Sequence, residues 1–357
     1  MPHLIYTNSD QNNYTNIDFF YILWFQPSLG YMIIEKNRII VFLDARYIWN
    51  VWNIKTENIC KNLEIEKVIF EELKHKELIK TLKKYLKPTG KITIDKTSSV
   101  EFFTKLKRNF KNVKVWNSPF TEKRIIKNED EIEKLKKAIK IIDKVFESIL
   151  ELEKNWKLKW LTEKELRNFI ISKIIENSWE KESFDSIVAF WKNSAVPHHI
   201  TSDTIIWNWP LLIDIWAKFW GYSSDFTRTI WVWEKDENFK EFKKVYEVVA
   251  GAYLEALKNA KVWMSWKELD KIARDYITQN WFWEYFTHSL WHWVGLEIHE
   301  HPYINKKSEE ILQENMFFTN EPWIYLPNKF WIRLENIVHL SEAWAKVYSE
   351  ISLDINK

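Results

Sequence analysis

The sequence predicts an α/β protein of the mixed α+β type, in which a smaller N-terminal domain precedes a larger one. Its 357 residues are enough for two domains, and strand-like and helix-like apolar patterns alternate along the chain. With 46% hydrophobic and 29% charged residues, the chain is not disordered. We place the boundary between Pro119 and Asn128, which gives domains of residues 1–124 and 125–357.

The first domain is predicted to be a small α/β domain without a catalytic cluster. A lysine-rich segment, residues 73–86, has apolar residues at helical spacing, and Pro88-Thr89-Gly90 is typical of a turn. Apolar runs predict buried strands at residues 31–34, 39–43 and 92–94.

The second domain is predicted to begin with a long helix. Asn128 and Glu131 form a capping-box pattern, and an apolar stripe of helical period runs from Ile132 to Phe146, which predicts a helix over residues 129–153. The Thr162-Glu163-Lys164-Glu165 segment marks the start of a second helix. Further helices are predicted at residues 237–258 and 266–279, with strands and turns between the helices.

Composition and charge exclude several classes of protein. The 52 Lys and Arg residues nearly balance the 50 Asp and Glu residues, so no basic surface for nucleic acid or acidic membranes is indicated. The single cysteine, Cys60, excludes an internal disulfide and indicates a reducing compartment. Residues 1–4 lack a signal-peptide pattern, and the chain has no apolar run of about 18 residues, so we expect a cytoplasmic protein that does not span a membrane.

The glycine content is abnormal. The chain has 5 glycines and 23 tryptophans, whereas ordinary usage of about 7% would give roughly 25 glycines. Tryptophans stand at turn-like positions such as Trp207-Asn208-Trp209-Pro210, where glycine is expected. A genuinely Trp-rich protein is the alternative, but each Trp needs about 150–250 Å² of burial. We hypothesise that UGA codons translated here as Trp encode Gly. We call the printed sequence the tryptophan chain and the version with Gly at all 23 positions the glycine chain.

Two aspartates are predicted to converge on one face of a hairpin. If Trp220-Gly221 forms a two-residue turn, Asp214 lies opposite Thr227, and Asp225 lies opposite Trp216. The two carboxylates are then diagonal neighbours, about 7–8 Å apart at the backbone. Because Asp214 stands in an apolar strand, where an unpaired carboxylate is costly, a metal pair is favoured over two solvated side chains.

Histidines and glutamates further along the chain extend this ligand set. Residues 288–301 hold four histidines, which favours a site over isolated core or surface residues. Glu321 and Glu335 each stand at the edge of an apolar run, and Arg333 shares a strand face with Glu335. Four carboxylates and an imidazole suit Mn²⁺, Co²⁺, Fe²⁺ or Zn²⁺, and two such ions can hold a bridging hydroxide and polarise a carbonyl.

With Gly at the Trp positions, these segments are LIDIGAKFGGYSSDFTRT, HSLGHGVGLEIHE, TNEPGIYLP and GIRLEN. They resemble the pita-bread metallopeptidases, and within them the branch of Xaa-Pro aminopeptidase and prolidase (Xaa-Pro dipeptidase). The resemblance covers residues 124–357 and includes FDSIVA and NSAVPHH. On weaker motifs, the first domain is similar to the family's creatinase-type N-terminal domain. A C-terminal pita-bread fold is therefore implied.

The resemblance also implies a role for each matching residue. Glu321 is implied to move a proton from the bridging water to the leaving amine, and His198 and His299 to hydrogen-bond the substrate and the developing oxyanion. His288 and Arg333 are implied to line the pocket for proline and the chain beyond it. The implied metal ligands are Asp214, Asp225, His292, Glu321 and Glu335, with Asp225 and Glu335 bridging both ions.

The remaining histidines and two departures from the family pattern lie outside this set. His199, His301 and His339 match no functional position, and we interpret them as structural. The family often has Val at the position of Asn320 and Asp at the position of Asn336. Because neither position is a ligand, we expect tuning of activity and not its loss.

The leading functional prediction is a cytoplasmic exopeptidase with two divalent metal ions, Mn²⁺ before Co²⁺, Zn²⁺ or Fe²⁺. As an Xaa-Pro aminopeptidase it would cleave peptides with proline in the second position, by attack of a metal-bridging hydroxide. Xaa-Pro dipeptidase activity is the alternative, since the motifs do not separate the two. Methionine aminopeptidase, creatinase-like hydrolysis and a non-catalytic binding protein fit the complete ligand set and the first domain less well. Neither nucleic acid nor membrane is an expected partner, and family resemblance favours a homodimer.

Overall fold

Two units make up the fold, residues Met1–Lys123 and Arg124–Lys357. The computed structural model describes residues 1–8, 16–73, 77–178, 180, 185–196, 199–286, 290–301, 309–342 and 344–355. No helix in these ranges combines the length and the apolar character that crossing a membrane requires.

The first unit is built on one mixed sheet. Its strands are β1 (His3–Asn8), β2 (Leu29–Ile34), β3 (Arg38–Leu43), β4 (Lys67–Glu72), β5 (Lys91–Asp95) and β6 (Asn112–Trp116). They lie in the order β4-β3-β2-β1-β5-β6, with β1 antiparallel to β2 and parallel to β5. The helices are α1 (Ile17–Leu23), α2 (Ile48–Trp52), α3 (Thr56–Leu63), α4 (Leu78–Tyr85), α5 (Val100–Lys107) and α6 (Phe120–Lys123). The predicted strands are confirmed, and the helix predicted in residues 73–86 is α4.

The second unit packs long helices against an antiparallel sheet. Its helices are α7 (Glu129–Lys154), α8 (Glu163–Ser178), α9 (Asn238–Asn259) and α10 (Trp266–Gln279). Its strands are β7 (Ile187–Phe190), β8 (Pro210–Ile215), β9 (Lys218–Phe219), β10 (Tyr222–Ser223), β11 (Phe226–Trp231), β12 (Phe317–Asn320), β13 (Trp323–Leu326), β14 (Phe330–Arg333), β15 (Glu335–Leu340) and β16 (Ala345–Val347). The predicted helices are confirmed, and Asn128 and Glu131 form the expected capping box on α7.

The central sheet of this unit brings distant segments side by side. Its order is β12-β15-β11-β8-β7, and β16 pairs with β15. The predicted hairpin register is confirmed, because Thr227 pairs with Asp214 and Tyr222 pairs with Phe219. On its other side, Thr227 pairs with Glu335. Asp214 and Glu335 therefore lie on β8 and β15, the two strands that flank β11.

Tryptophans occupy the left-handed backbone region in this fold. Among the described residues, eleven non-glycine residues have a positive φ, and eight of them are tryptophans with φ between 48° and 80°. The left-handed conformation costs an L-residue about 1–2 kcal/mol. Eight tryptophans would therefore cost about 8–16 kcal/mol, which is as large as the whole stability of an ordinary domain, about 5–15 kcal/mol.

His339 gives the second unit a pH-dependent stability. Its ring is buried and stacks on Phe317 at a centroid distance of 4.4 Å, and its Nδ1 lies 2.8 Å from the Tyr348 hydroxyl. Burial, and then the positive charge of Lys136, lower the pKa of His339 to about 4. The folded protein thus keeps this ring neutral, whereas the unfolded chain protonates it near pH 6.5.

We expect the free energy of unfolding to fall as the pH drops from 6.5 towards 4, with His339 contributing up to about 3 kcal/mol. His339→Gln should remove this contribution and flatten the pH dependence. Urea unfolding of the parent and the variant at pH 7 and pH 4.5 measures the difference. Equal pH dependence in the two proteins would contradict the assignment.

Candidate metal centre

Asp225, His292 and Glu335 form the core of a candidate metal centre. One ligand atom from each side chain lies within 4.8 Å of the others, and His292 Nε2 is 3.2 Å from Asp225 Oδ2. Both carboxylates are buried. Within the described ranges, no other group of three or more His, Cys, Asp or Glu side chains has this geometry.

The other two predicted ligands adjoin this core. Glu321 directly follows β12, and its Oε1 lies 3.7 Å from His292 Nε2. Asp214 in β8 accepts a hydrogen bond from Arg333 Nη2. Arg333 is itself 9% exposed, and its Nε lies 3.8 Å from Glu335 Oε2. The structure therefore gathers the predicted ligands around one guanidinium, which faces these carboxylates.

Two threonines that the sequence did not single out orient the carboxylates. The Thr227 hydroxyl donates to Glu335 Oε2 at 2.6 Å. The Thr319 hydroxyl accepts from the His292 amide at 3.1 Å and donates to Glu321 Oε1 at 3.2 Å. Each threonine stands two residues from a predicted ligand in the chain, so strand alternation is the signal that could have indicated them.

The imidazole of His292 is oriented by its own backbone segment. Its Nδ1 lies 3.2 Å from the Trp293 carbonyl, and its Nε2 faces the Asp225 and Glu321 carboxylates. His299 makes an edge-on contact with His292, with ring centroids 4.2 Å apart, and is exposed. The predicted substrate residues His198 and His288 lie outside the described residues.

The carboxylates of the cluster carry more negative charge than the neighbouring Arg333 neutralises. Burial, and then repulsion from Asp214, raise the pKa of Asp225. Burial, and then repulsion from Asp225, likewise raise the pKa of Glu335. Burial, and then repulsion from Glu335, raise the pKa of Glu321 to about 8. Four carboxylates facing one Arg333 would be neutralised by divalent cations, and oxygen ligands with one imidazole fit such ions.

Asn320 and Asn336, the two departures from the family pattern, are chain neighbours of the predicted ligands Glu321 and Glu335. Asn320 donates to the Tyr253 carbonyl at 3.0 Å, and Asn336 donates to the Tyr253 hydroxyl at 2.8 Å. The Asn336 side-chain oxygen accepts from Arg228 Nη2 at 3.0 Å. Both asparagines thus bond to Tyr253 of helix α9, and Asn336 also bonds to the buried Arg228.

Glu163, the first residue of α8, is a second polar centre that the sequence did not indicate. Its fully buried carboxylate accepts from the Phe190 amide at 2.7 Å, Asn193 Nδ2 at 2.9 Å, the Ser202 amide at 2.9 Å and hydroxyl at 2.7 Å, and contacts His199 Nε2 at 2.8 Å. Burial alone would raise the pKa of Glu163, but these hydrogen bonds lower it. His199 therefore has a structural partner.

Glu163→Ala is expected to destabilise the fold by about 3 kcal/mol or more, because several buried donors lose their acceptor. The matched control is Glu165→Ala in the same helix. Glu165 is exposed and hydrogen-bonds the Thr162 amide and hydroxyl, a cap contribution of about 1 kcal/mol. Urea unfolding measures the loss of unfolding free energy in each variant. A smaller loss for Glu163→Ala than for Glu165→Ala would contradict the prediction.

A group of buried carboxylates with a half-buried imidazole, in and next to strands of the central sheet of an α+β domain, is typical of a metalloenzyme. The chain belongs to metallopeptidase family M24, whose sequence pattern matches residues 133–342. Membership of this family implies divalent metal ions.

Individual relatives extend the similarity to most of the chain. A Pyrococcus furiosus protein named Xaa-Pro dipeptidase is 40% identical over 265 residues, 73% of this chain and 74% of its own length. A Mycoplasma genitalium protein named putative Xaa-Pro aminopeptidase is 31% identical over 336 residues, covering 94% of this chain and 88% of its own. The crystal structure of X-Pro aminopeptidase from Thermotoga maritima superposes with a TM-score of 0.83 at 30% identity, covering 99% of this chain and 96% of its own. The pita-bread fold prediction is confirmed.

Proposed function

We propose that this chain is an Xaa-Pro aminopeptidase with two divalent metal ions, Mn²⁺ first among them. It would release the N-terminal residue of peptides that have proline in the second position. The observation that carries the proposal is the Asp225–His292–Glu335 cluster, flanked by Asp214 and Glu321, in a family M24 chain. Relatives named for Xaa-Pro peptidase activity support the substrate class.

The side chains of this chain take distinct parts in the proposed reaction. When bound, the divalent ions would polarise the scissile carbonyl and lower the pKa of a water molecule. Glu321, next to His292, would accept the proton of the attacking water and return it to the leaving amine. His299, beside His292 and exposed, would donate a hydrogen bond to the developing oxyanion.

Arg333, His198 and His288 are proposed to bind the peptide around its proline. Residues 125–357 would form the catalytic domain, with residues 1–124 as a creatinase-type N-terminal domain. A cytoplasmic location is supported by the single cysteine, Cys60. A homodimer is proposed on family resemblance alone.

Xaa-Pro dipeptidase activity is the second candidate. It is supported by the relative named Xaa-Pro dipeptidase, which is 40% identical to this chain. The two activities differ in whether the substrate continues beyond proline. A non-catalytic binding protein is the remaining alternative, and it would not require the assembled carboxylates.

Hydrolysis of Ala-Pro and Ala-Pro-Ala in the presence of Mn²⁺ tests the proposal. The glycine chain should be assayed beside the tryptophan chain, with and without a chelator. Cleavage of the tripeptide that a chelator abolishes is expected for an aminopeptidase, and cleavage of the dipeptide alone would indicate a prolidase. A folded, metal-loaded protein that cleaves neither peptide would overturn the proposal.

A further inference from the structure

Two helix ends show why glycine belongs at tryptophan positions. After α10, the Trp281 amide donates to the Thr278 carbonyl at 3.0 Å, and the Phe282 amide donates to the Ile277 carbonyl at 3.2 Å. This pair of hydrogen bonds is the Schellman motif, whose left-handed residue is usually glycine. Here that residue is Trp281, with φ of 67° and a side chain that is 87% exposed.

The end of α7 repeats the same pattern. The Trp156 amide donates to the Glu153 carbonyl at 2.9 Å, and the Lys157 amide donates to the Leu152 carbonyl at 2.8 Å. Trp156 has φ of 58°, and its indole is exposed. The Trp156 ring contacts Trp233, itself a tryptophan with a positive φ, at a centroid distance of 5.8 Å. Because both helix-end indoles are mostly exposed, side-chain burial does not explain Trp at these two positions.

Buried tryptophans give an independent indication. Buried indole N–H groups normally have an acceptor. Within the described residues, several buried indole nitrogens lack one, and three of these tryptophans adjoin predicted site residues. Those three are Trp291 and Trp293, on either side of His292, and Trp331, two residues before Arg333.

We infer that the natural polypeptide carries glycine at the tryptophan positions of this sequence, as UGA codons decoded as glycine would produce. Glycine removes the steric cost of the left-handed backbone at the helix ends. Around His292 it also removes two indoles whose N–H groups have no acceptor. The inference concerns the identity of the residues and does not depend on the proposed function.

Peptide mass spectrometry of the protein isolated from the cells that encode it decides the question. Glycine at positions 156, 281, 291 and 293 is expected, and tryptophan at these positions would overturn the inference. As a second measurement, Trp156→Gly and Trp281→Gly should each raise the unfolding midpoint of the tryptophan chain. The matched control Trp52→Gly, in the last turn of α2, should not raise it, because its backbone is helical and its indole is exposed.

A buried ion pair carries a second, separate inference. Lys127 Nζ lies 2.9 Å from Glu300 Oε2, and the two side chains are 1% and 2% exposed. Lys127 also donates to the Arg124 carbonyl at 2.6 Å, while Arg124 Nε lies 3.7 Å from Glu300 Oε1. Two cations that precede α7 thus fix one carboxylate inside the second unit.

Glu300 hydrogen-bonds to other residues of the loop 293–300, which follows His292 and contains His299. Its Oε1 accepts from the Leu296 amide at 3.1 Å, and its own amide donates to the Trp293 carbonyl at 3.0 Å. A Cβ at Gly295 would lie 2.6 Å from Glu300 Oε2, so the loop backbone passes close to the carboxylate. His292 precedes this loop, and His299 directly precedes Glu300.

Buried ion pairs contribute little to stability on balance, because desolvation offsets the attraction between the charges. The structure assigns this pair a positioning role that rests on the proposed function: Lys127 and Glu300 hold the loop so that His299 stays beside His292. The polar contacts of the two side chains reach Arg124, Leu296 and each other, so both residues act through the loop.

Lys127→Met and Glu300→Gln in the glycine chain test this role, with Lys164→Met as the matched control. Lys164 lies 2.7 Å from Asp203 in an exposed ion pair, so its loss should change little. Each test variant is expected to lower kcat for Ala-Pro-Ala at least about 10-fold, as loss of outer-shell support does at metal sites. KM and bound metal should change by no more than about 3-fold, and amide hydrogen exchange should accelerate at residues 293–300.

The double variant Lys127→Met/Glu300→Gln should lose no more activity than the worse single variant, because both changes break one interaction. Unchanged kcat and unchanged exchange in folded variants would overturn the inference. So would a loss of thermal stability with kcat and loop exchange unaffected. If the parent cleaves no Xaa-Pro peptide, the proposed function fails, while hydrogen exchange at residues 293–300 still decides whether the pair orders the loop.

Discussion

Glu335→Gln is expected to abolish peptide hydrolysis while making the metal-free protein more stable. Glu335 lies in the Asp225–His292–Glu335 cluster, and burial and the charge of Asp225 raise its pKa. The neutral amide of the variant removes the repulsion from Asp225 but weakens the binding of cations at the site. Since metal ions supply several kcal/mol of transition-state stabilisation, kcat/KM should fall at least about 10³-fold.

Thermal unfolding and metal titration measure the two opposite effects. Without metal, the midpoint of Glu335→Gln should rise by about 2–4 °C for each kcal/mol gained. Added Mn²⁺ should raise the midpoint of the parent and leave the variant nearly unchanged. Asp143→Asn is the control, because Asp143 is also buried with a raised pKa but bonds to Ser349 and Glu350. A variant that retains both activity and the metal-induced shift would exclude Glu335 as a ligand.

Glu321→Gln is expected to lower kcat by about 10²–10⁴-fold, the range typical of a lost general base. Gln keeps an oxygen that can accept the Thr319 hydroxyl bond, so the side chain should remain in place. The loss should therefore fall on kcat more than on KM. The acid limb of the pH–rate profile should also change, since the group that takes the proton is gone.

Steady-state kinetics from pH 5 to pH 9, with metal content measured in the same samples, provide this comparison. Glu314→Gln serves as the control, because Glu314 is an exposed residue in the same part of the chain. If Glu321→Gln lost its metal together with its activity, the side chain would act as a ligand only. An unchanged kcat with full metal occupancy would remove Glu321 from the mechanism.

The sequence predicted most of the second unit because its signals are local. Helix α10 was predicted with both of its ends, and the structure shows a local signal at its start, a capping box formed by Ser265 and Glu268. The register of Asp214 against Thr227 followed from the two-residue turn at Trp220-Gly221. Alternation and turn length are properties of a short segment, so no tertiary information was needed.

The supporting contacts could not be predicted, because their partners are far apart in the chain. Glu163 looked like an ordinary residue at a helix start, yet it accepts bonds from residues 190–202. Lys127 and Glu300 are separated by 173 positions and carry no motif of their own. Arg333 in β14 also bonds to Asp214 in β8, a contact between strands that are 119 positions apart and that no local pattern could indicate.

The central sheet also links metal binding to the completeness of the fold. Thr227 pairs with Asp214 on one side and with Glu335 on the other, so the strand that follows Asp225 joins β8 to β15, which comes more than 100 residues later in the chain. A nascent chain that has not yet reached β15 lacks Glu335, one of the predicted ligands, and the strand that carries it. If Glu335 is a ligand as proposed, divalent ions would bind the complete fold more tightly than an incomplete one and would stabilise it by mass action.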